Sequence, residues 1–182
     1  MQENKFLTSK AALITLLIGC FVISVSMGIR QTYGLFFQFF ENDLNISNTF
    51  FGLAIGVQAI VWGVFATIFG IIADKHGANK VTIVALLVYA FGIYALGNLN
   101  STGFLFQLNL GIFVGIGLGG AAAPIIVPTV AKHFPNHNRA KAAGLVTASA
   151  SVGMFLYPIL SSALFKYYDC LLYTSDAADD RS

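Results

Sequence analysis

One arginine interrupts the first long apolar run of the sequence, which extends from Ala11 to Phe40. Spacings of four, three and four residues place four side chains on one face of a helix: Ser26, Arg30, Tyr33 and Phe37. A guanidinium in an apolar environment needs protein dipoles, water or an anion beside it. We therefore predict that Arg30 binds a carboxylate and that Tyr33 donates a second hydrogen bond to it.

The depth of Arg30 leaves a second interpretation open. On a helix from Ala11 to Phe40, Arg30 lies about 6 to 8 Å outward of the midpoint at 1.5 Å per residue. Its side chain, accompanied by Gln31, could instead extend to the outer lipid headgroups. Asn109 and Tyr157 are further candidate ligand contacts, although a polar side chain in a span more often bonds to a neighbouring helix. That alternative also applies to Gln58, Gln107, Ser149 and Ser151.

The sequence gives little evidence for proton transfer, catalysis, metal binding or nucleic-acid binding. No Asp, Glu or His lies inside any of the long apolar stretches, so this part offers no proton carrier there. A nucleophile paired with a base and a cluster of metal ligands are both missing, which argues against an enzyme, a metal site or a cofactor. The net charge of +2 is too small to indicate a nucleic-acid partner.

The composition assigns the chain to the lipid bilayer. Hydrophobic residues make up 57% and charged residues 10%, whereas a soluble domain averages about 25% charged residues. Five stretches are long and apolar enough to cross about 30 Å of hydrocarbon as helices. We predict an all-α integral membrane protein with five transmembrane helices at Ala11 to Phe40, Thr49 to Ala73, Val81 to Leu99, Gly103 to Ala131 and Ala142 to Phe165.

The basic residues give the orientation of these spans. They are concentrated in the N-terminal segment, the second connector and the fourth connector, as Lys5, Lys10, Lys75, Lys80, Lys132, Arg139 and Lys141. The positive-inside rule then makes residues 1–10 a cytoplasmic segment of a multi-pass protein of the plasma (inner) membrane.

Small residues recur every three or four positions along three spans, which predicts closely packed helices. The second span carries Gly52, Gly56, Ala59, Gly63, Ala66 and Gly70. The fourth carries Gly111, Gly115, Gly119 and Ala123, and the fifth Ala140, Gly144, Thr147 and Ser151. We also expect the fourth span to bend at Pro124 and Pro128.

The connector between the second and third spans reads GIIADKHGANK. Its first glycine would allow close helix approach, its aspartate could face a base, and its second glycine would supply the turn. The segment resembles the signature loop of the major facilitator superfamily of secondary transporters. The matching residues are Gly70, Asp74, Lys75, Gly77 and Lys80, while Asn79 occupies a usually basic position. The resemblance implies that Asp74 gates transport; the alternative is that Asp74 only ends its helix.

Four further segments are similar to bacterial transporters of the monocarboxylate or oxalate/formate antiporter-like group: GIRQTYGLFF, FGLAIGVQAIVWGVF, FPNHNRAKAAG and ASASVGMFLYPIL. This resemblance implies part of an N-terminal six-helix half, which would move a small organic anion, a monocarboxylate or a dicarboxylate, by alternating access. It also implies a C-terminal half as partner. Many members of the superfamily carry an arginine in the fourth span, where the stretch QLNLGIFVGIGLGG of this sequence offers only Gln107 and Asn109.

The last residues do not continue the pattern of spans. Cys170 to Asp179 resemble the translation of a sequencing adapter, so we expect 11–169 to be the transmembrane part and 170–182 a read-through tail. If the tail is instead genuine, the chain would be a small five-span interaction or assembly protein. A transporter of neutral solutes or drugs also fits the loop motif.

Overall fold

The computed structural model describes residues 10–44, 46–97 and 103–179, with side chains described only at 10–37, 41, 46–97 and 103–164. Its helices are α1 (Lys10–Leu44), α2 (Asn48–His76), α3 (Ala78–Gly97), α4 (Gly103–Phe106), a π-helix (Gln107–Phe113), α5 (Val114–Ala121), α6 (Ala123–Ala131) and α7 (Asn136–Asp179). The four elements from α4 to α6 follow one another closely and are called the fourth span below.

The five predicted transmembrane helices are confirmed. Helical stretches long and apolar enough to cross a membrane lie at Lys10–Phe37, Asn48–His76, Ala78–Gly97, Gly103–Ala131 and Asn136–Leu164. The largest difference is the start of the fifth, six residues before the predicted Ala142, because the carbonyl of Pro135 accepts hydrogen bonds from the N–H groups of Asn138 and Arg139. These bonds make the polar residues of the connector the first turns of α7. The predicted tail begins within α7 and ends outside the described residues, so its interpretation stays a prediction.

The fourth span is the centre of the bundle. It contacts α1, α2, α3 and α7, and Leu110, Val114 and Leu118 have no exposed surface. Its glycines leave room for large side chains of α2, since a Cβ atom on Gly111, Gly115 or Gly119 would lie about 3 Å or less from α2 atoms. The atoms in question belong to Val57, Val61 and Phe65. The predicted packing face of the fourth span is therefore confirmed.

The predicted packing faces of the second and fifth spans are wrong for the described part of the chain. A Cβ atom built on any of several glycines there would meet no atom within 4 Å: Gly52, Gly56, Gly63, Gly70 and Gly144. The physical reason is that a close helix pair needs small residues on only one partner. The fourth span supplies them, so α2 turns its large side chains inward and its own glycines outward.

The bend of the fourth span also differs from the prediction. The helix is broken at Ala122, which has extended backbone angles (φ −103°, ψ 174°), and Pro128 lies inside α6 without ending it. Pro124 is the second residue of the new helix, where a missing N–H group costs no intrahelical hydrogen bond. The proline is thus accommodated by starting a helix rather than by bending one.

Helix α1 packs against α7 with their backbones in contact. A Cβ atom on Gly153 would overlap the backbone carbonyl of Ser24, and one on Gly28 would overlap the ring of Tyr157. Near this crossing, the hydroxyl of Ser149 donates a hydrogen bond to the carbonyl of Cys20 (3.1 Å). The two helices therefore depend on glycine at their closest approach.

We expect Gly153→Ala to lower the free energy of unfolding of this chain by about 1 to 3 kcal/mol, because the backbone of Ser24 cannot move aside. Gly144→Ala is the matched control on the same helix, since a Cβ atom there meets open space. The measurement is denaturant unfolding in detergent micelles. Equal stability of the two variants would contradict the described crossing of α1 and α7.

Candidate functional site

One face of α1 is turned toward α2, α3 and the fourth span. The structure places there the four residues that the spacing put on one helical face. Their partners, in order along α1, are Ala121 for Ser26, Trp62 for Arg30, Tyr89 for Tyr33 and Phe51 for Phe37. The site therefore lies within the bundle, between α1, α2, α3 and the fourth span.

Arg30 packs on an aromatic ring of α2. Its Cζ atom lies 5.4 Å from the centroid of the Trp62 ring, a cation–π contact. The Nε atom of Arg30 is buried and has no hydrogen-bond partner among the described residues. The side chain therefore points to α2 rather than to the outer headgroups, and its buried Nε–H donor is unpaired among the described residues.

Gln58 lies one helical turn before Trp62 and is fully buried. Its Nε2 atom donates to the carbonyl of Leu110 in the π-helix (3.1 Å). Its Oε1 atom is buried and, within the described part of the chain, accepts no hydrogen bond. The stretch of α2 beside Arg30 thus contains a tightly placed amide with a free acceptor.

Two buried tyrosines complete the site. The hydroxyl of Tyr33 lies 3.4 Å from that of Tyr89, and the hydroxyl of Tyr89 donates to the carbonyl of Ser26 (3.0 Å). Because the proton of Tyr89 is used on a carbonyl, the proton of Tyr33 is the one that can turn to a ligand. A guanidinium, a phenol and an indole together suit a small anion that carries oxygen acceptors.

The structure brings together Arg30 and Tyr33 but not the two other predicted contacts. Asn109 is buried in the π-helix, and the hydrogen bonds described for this part of the chain include none between its side chain and Arg30. The ring of Tyr157 packs on Gly28, which is about 200° around the helix axis from Arg30. Tyr157 therefore lies on the side of α1 that faces α7.

Sequence reasoning missed Trp62 and Tyr89. Trp62 is the single tryptophan of the chain, and tryptophan is the best partner for a cation, so the presence of Arg30 was a usable signal. Tyr89 gave no comparable signal, because its contacts join it to α1 across 56 and 63 residues of sequence. Only the packing of α3 against α1 shows that role.

The predicted gating loop is short. Gly77 is the one residue between α2 and α3; its φ of 92° requires glycine, and its N–H group donates to the carbonyl of Ala73. Asp74 and Lys80 face a cleft of about 710 Å³, opposite Lys132 of the segment that follows α6. Gly77 supplies the turn as predicted, and it, rather than Asp74, caps α2.

The two remaining residues of the predicted gating motif are Gly70 and Lys75. Gly70 lines the cleft, and no atom lies within 4 Å of a Cβ built there, so the predicted close helix approach at Gly70 is wrong for the described residues. Lys75 belongs to the last turn of α2. Lys132 shares the cleft with Asp74, whereas Nε of Arg139 donates to the carbonyl of Phe134 (3.2 Å).

Comparison with known proteins gives a consistent result. The sequence profile of the Major Facilitator Superfamily matches residues 16–172. The chain is 29% identical over 153 residues to an uncharacterized transporter of Buchnera aphidicola, covering 81% of this chain and 35% of that protein. It is 26% identical to a probable nitrate transporter, NarT, of Staphylococcus aureus (69% and 32% covered) and 29% identical to a hexuronate transporter of Bacillus subtilis (68% and 29%). The chain spans about one third of the length of these curated relatives.

We expect Arg30→Met to raise the free energy of unfolding of this chain by about 0.5 to 3 kcal/mol. Placing an arginine within a span costs about 2.5 to 3.5 kcal/mol, and the contact with Trp62 returns about 0.5 to 2 kcal/mol of it. Arg30→Lys keeps the charge and is the control, with stability near that of the parent chain. A clear loss of stability in Arg30→Met would assign Arg30 a structural role instead.

Proposed function

The chain belongs to the Major Facilitator Superfamily, a family of transporters and not of enzymes, and we propose that it forms the anion-binding part of a secondary transporter for small organic anions. The substrate class is a monocarboxylate or a dicarboxylate. The observation that carries the proposal is the half-buried side chain of Arg30, which rests on Trp62 and whose buried Nε has no hydrogen-bond partner among the described residues.

The surroundings of Arg30 support an anion rather than a neutral solute. No carboxylate lies within 4.0 Å of the guanidinium in the described part of the chain, so the positive charge is not neutralised by the protein there. Tyr33 lies one helical turn after Arg30, and one turn further along α1 the ring of Phe37 makes a tilted contact with the ring of Phe51 in α2 (5.1 Å between centroids). Two of the relatives are named for anions, nitrate and hexuronate, which agrees with this choice. Asn109 and Tyr157 stay predicted contacts, each of which a different conformation would have to bring to Arg30.

The proposed mechanism is alternating access in the plasma membrane, with the N-terminus in the cytoplasm. One helical half rocks against the other around a site near the middle of the bilayer, and the anion binds between them. Arg30 and Tyr33 serve this half of the site. The loop of Gly70, Asp74, Lys75, Gly77 and Lys80 gates the cytoplasmic side, where Asp74 lines the cleft between α2 and the end of α6.

The C-terminal half of the same protein is the proposed partner. The open glycine faces of α2 and α7 support this, because a further helix could approach them to backbone distance. The bilayer covers the large apolar side chains that remain exposed elsewhere, such as Phe21, Ile60, Phe104 and Phe155.

Uptake into vesicles that contain the full-length transporter tests the assignment of Arg30. We expect Arg30→Gln to reduce uptake of radiolabelled lactate or oxalate by about 10- to 100-fold, the usual value of one or two charge-assisted hydrogen bonds. Gln31→Leu is the matched control, since the neighbouring Gln31 is exposed and faces away. Vesicles with the present chain alone should show no uptake. Unchanged anion uptake in Arg30→Ala would instead favour a carrier of neutral solutes or drugs.

The glycine faces give a separate prediction. Replacing Gly56 and Gly63 together by leucine should not lower the free energy of unfolding of this chain, because both positions are exposed here and leucine favours a helix more than glycine does. The same pair of changes should abolish uptake by the full-length protein, whose second half could no longer reach the backbone of α2. Normal uptake by that double variant would place the partner half elsewhere.

A further inference from the structure

The break in the fourth span leaves two backbone carbonyls without their usual donors. In a continuous helix the carbonyl of Gly120 would accept from residue 124, but Pro124 has no N–H group. The carbonyl of Ala121 would accept from Ile125, whose N–H group instead donates to Ala122 (3.2 Å). Carbonyls without a donor are costly in the hydrocarbon core of a membrane, so the break needs outside donors.

Two hydroxyl groups from other helices meet this need. Ser26 of α1 donates from Oγ to the carbonyl of Ala121 (3.1 Å). Thr82 of α3 donates from Oγ1 to the carbonyl of Gly120 (3.2 Å). The break is therefore a defined element of the fold that is held from two sides, and not a local irregularity.

Ser26 also has a second contact, on the side of Arg30. Its backbone carbonyl accepts the hydroxyl proton of Tyr89 (3.0 Å), and Tyr89 in turn lies 3.4 Å from the hydroxyl of Tyr33. Ser26 is one helical turn before Arg30, and it is almost fully buried. This single residue thus bonds to the break with its side chain and to the tyrosine pair with its backbone.

We propose that Ser26 is a positioning residue that couples the anion site at Arg30 to the break at Ala122. The inference rests on the proposed anion site. Beyond the break, Pro128 of α6 and Lys132 after it line the cleft opposite Asp74, so the angle at Ala122 sets the width of that cleft. An anion that draws the hydroxyl of Tyr33 away from Tyr89 changes the bonds at Ser26, and through them the direction of α6.

The test uses two readings on this chain in lipid nanodiscs, without any ligand. One is amide hydrogen exchange of Ala123–Ala131, which reports on the break. The other is the emission of Trp62, the single tryptophan, which reports on Arg30. We expect Ser26→Ala to speed the exchange by about fivefold, the factor for loss of one hydrogen bond, and also to shift the emission of Trp62.

Three further variants separate coupling from general loosening. Thr82→Val removes the other hydroxyl at the break, so it should speed the exchange without shifting the emission. Tyr89→Phe removes the hydroxyl that donates to the carbonyl of Ser26. Because coupling is reciprocal, this change near Arg30 should also speed the exchange of Ala123–Ala131. Ser149→Ala removes a hydroxyl that bonds to α1 at an unbroken stretch of helix, and it should change neither reading.

Two results would overturn the coupling: an unchanged reading at either end in Ser26→Ala, or an emission shift in Thr82→Val as large as that in Ser26→Ala. The proposed function fails by a different observation, which is anion uptake that does not depend on Arg30. Since neither reading involves an anion, the two failures cannot be confused.

Discussion

Every backbone carbonyl inside a bilayer has to find a donor within the protein, and the fourth span is built around this constraint. Its π-helix and its break each disturb the regular ladder of hydrogen bonds. Side chains of three neighbouring helices compensate: Gln58 donates to Leu110 from α2, Ser26 to Ala121 from α1 and Thr82 to Gly120 from α3. In addition, Gln107 of the π-helix donates to the carbonyl of Phe50 in α2 (3.0 Å). Most polar side chains in the interior of this bundle therefore serve the backbone, as the sequence argument expected for Gln58 and Gln107.

The central place of the fourth span has a second cause, which is its glycine content. A helix with neighbours on several sides must have a narrow surface, and Gly111, Gly115 and Gly119 leave room for Val57, Val61 and Phe65 of α2. Gly117 similarly receives the backbone of Tyr89 in α3, with a built Cβ atom only 2.5 Å from Cβ of Tyr89. This close approach places the phenol of Tyr89 within reach of α1. The glycines of the fourth span thus determine both its packing and the position of Tyr89.

The sequence predicted those features that depend on local pattern, and it failed where partners on other helices decide. Hydropathy located five spans, and the largest difference is the start of the fifth, at Asn136 instead of Ala142. Helical spacing placed Ser26, Arg30, Tyr33 and Phe37 on one face. The same periodicity cannot say whether a row of small residues has a neighbour, so it gave the α2 row and the fourth-span row equal weight. It also assigned the bend to Pro124 and Pro128, whereas the helix breaks at Ala122, two residues before Pro124, and continues through Pro128. The partners of Arg30 and Tyr33 depend on packing across dozens of residues and leave no trace in local spacing.

The choice of Trp62 as the neighbour of Arg30 has a functional logic of its own. An aspartate or glutamate in this position would stabilise the guanidinium more strongly, but it would also compete with any anionic ligand and leave the site neutral. An indole ring holds the cation in place through its face, contributes less energy, and leaves the edge of the guanidinium with its N–H donors free. In the proposed anion site, the contact with Trp62 and the lack of a carboxylate within 4.0 Å of the guanidinium among the described residues would be two parts of one arrangement, in which the protein orients the charge of Arg30 and an anion neutralises it.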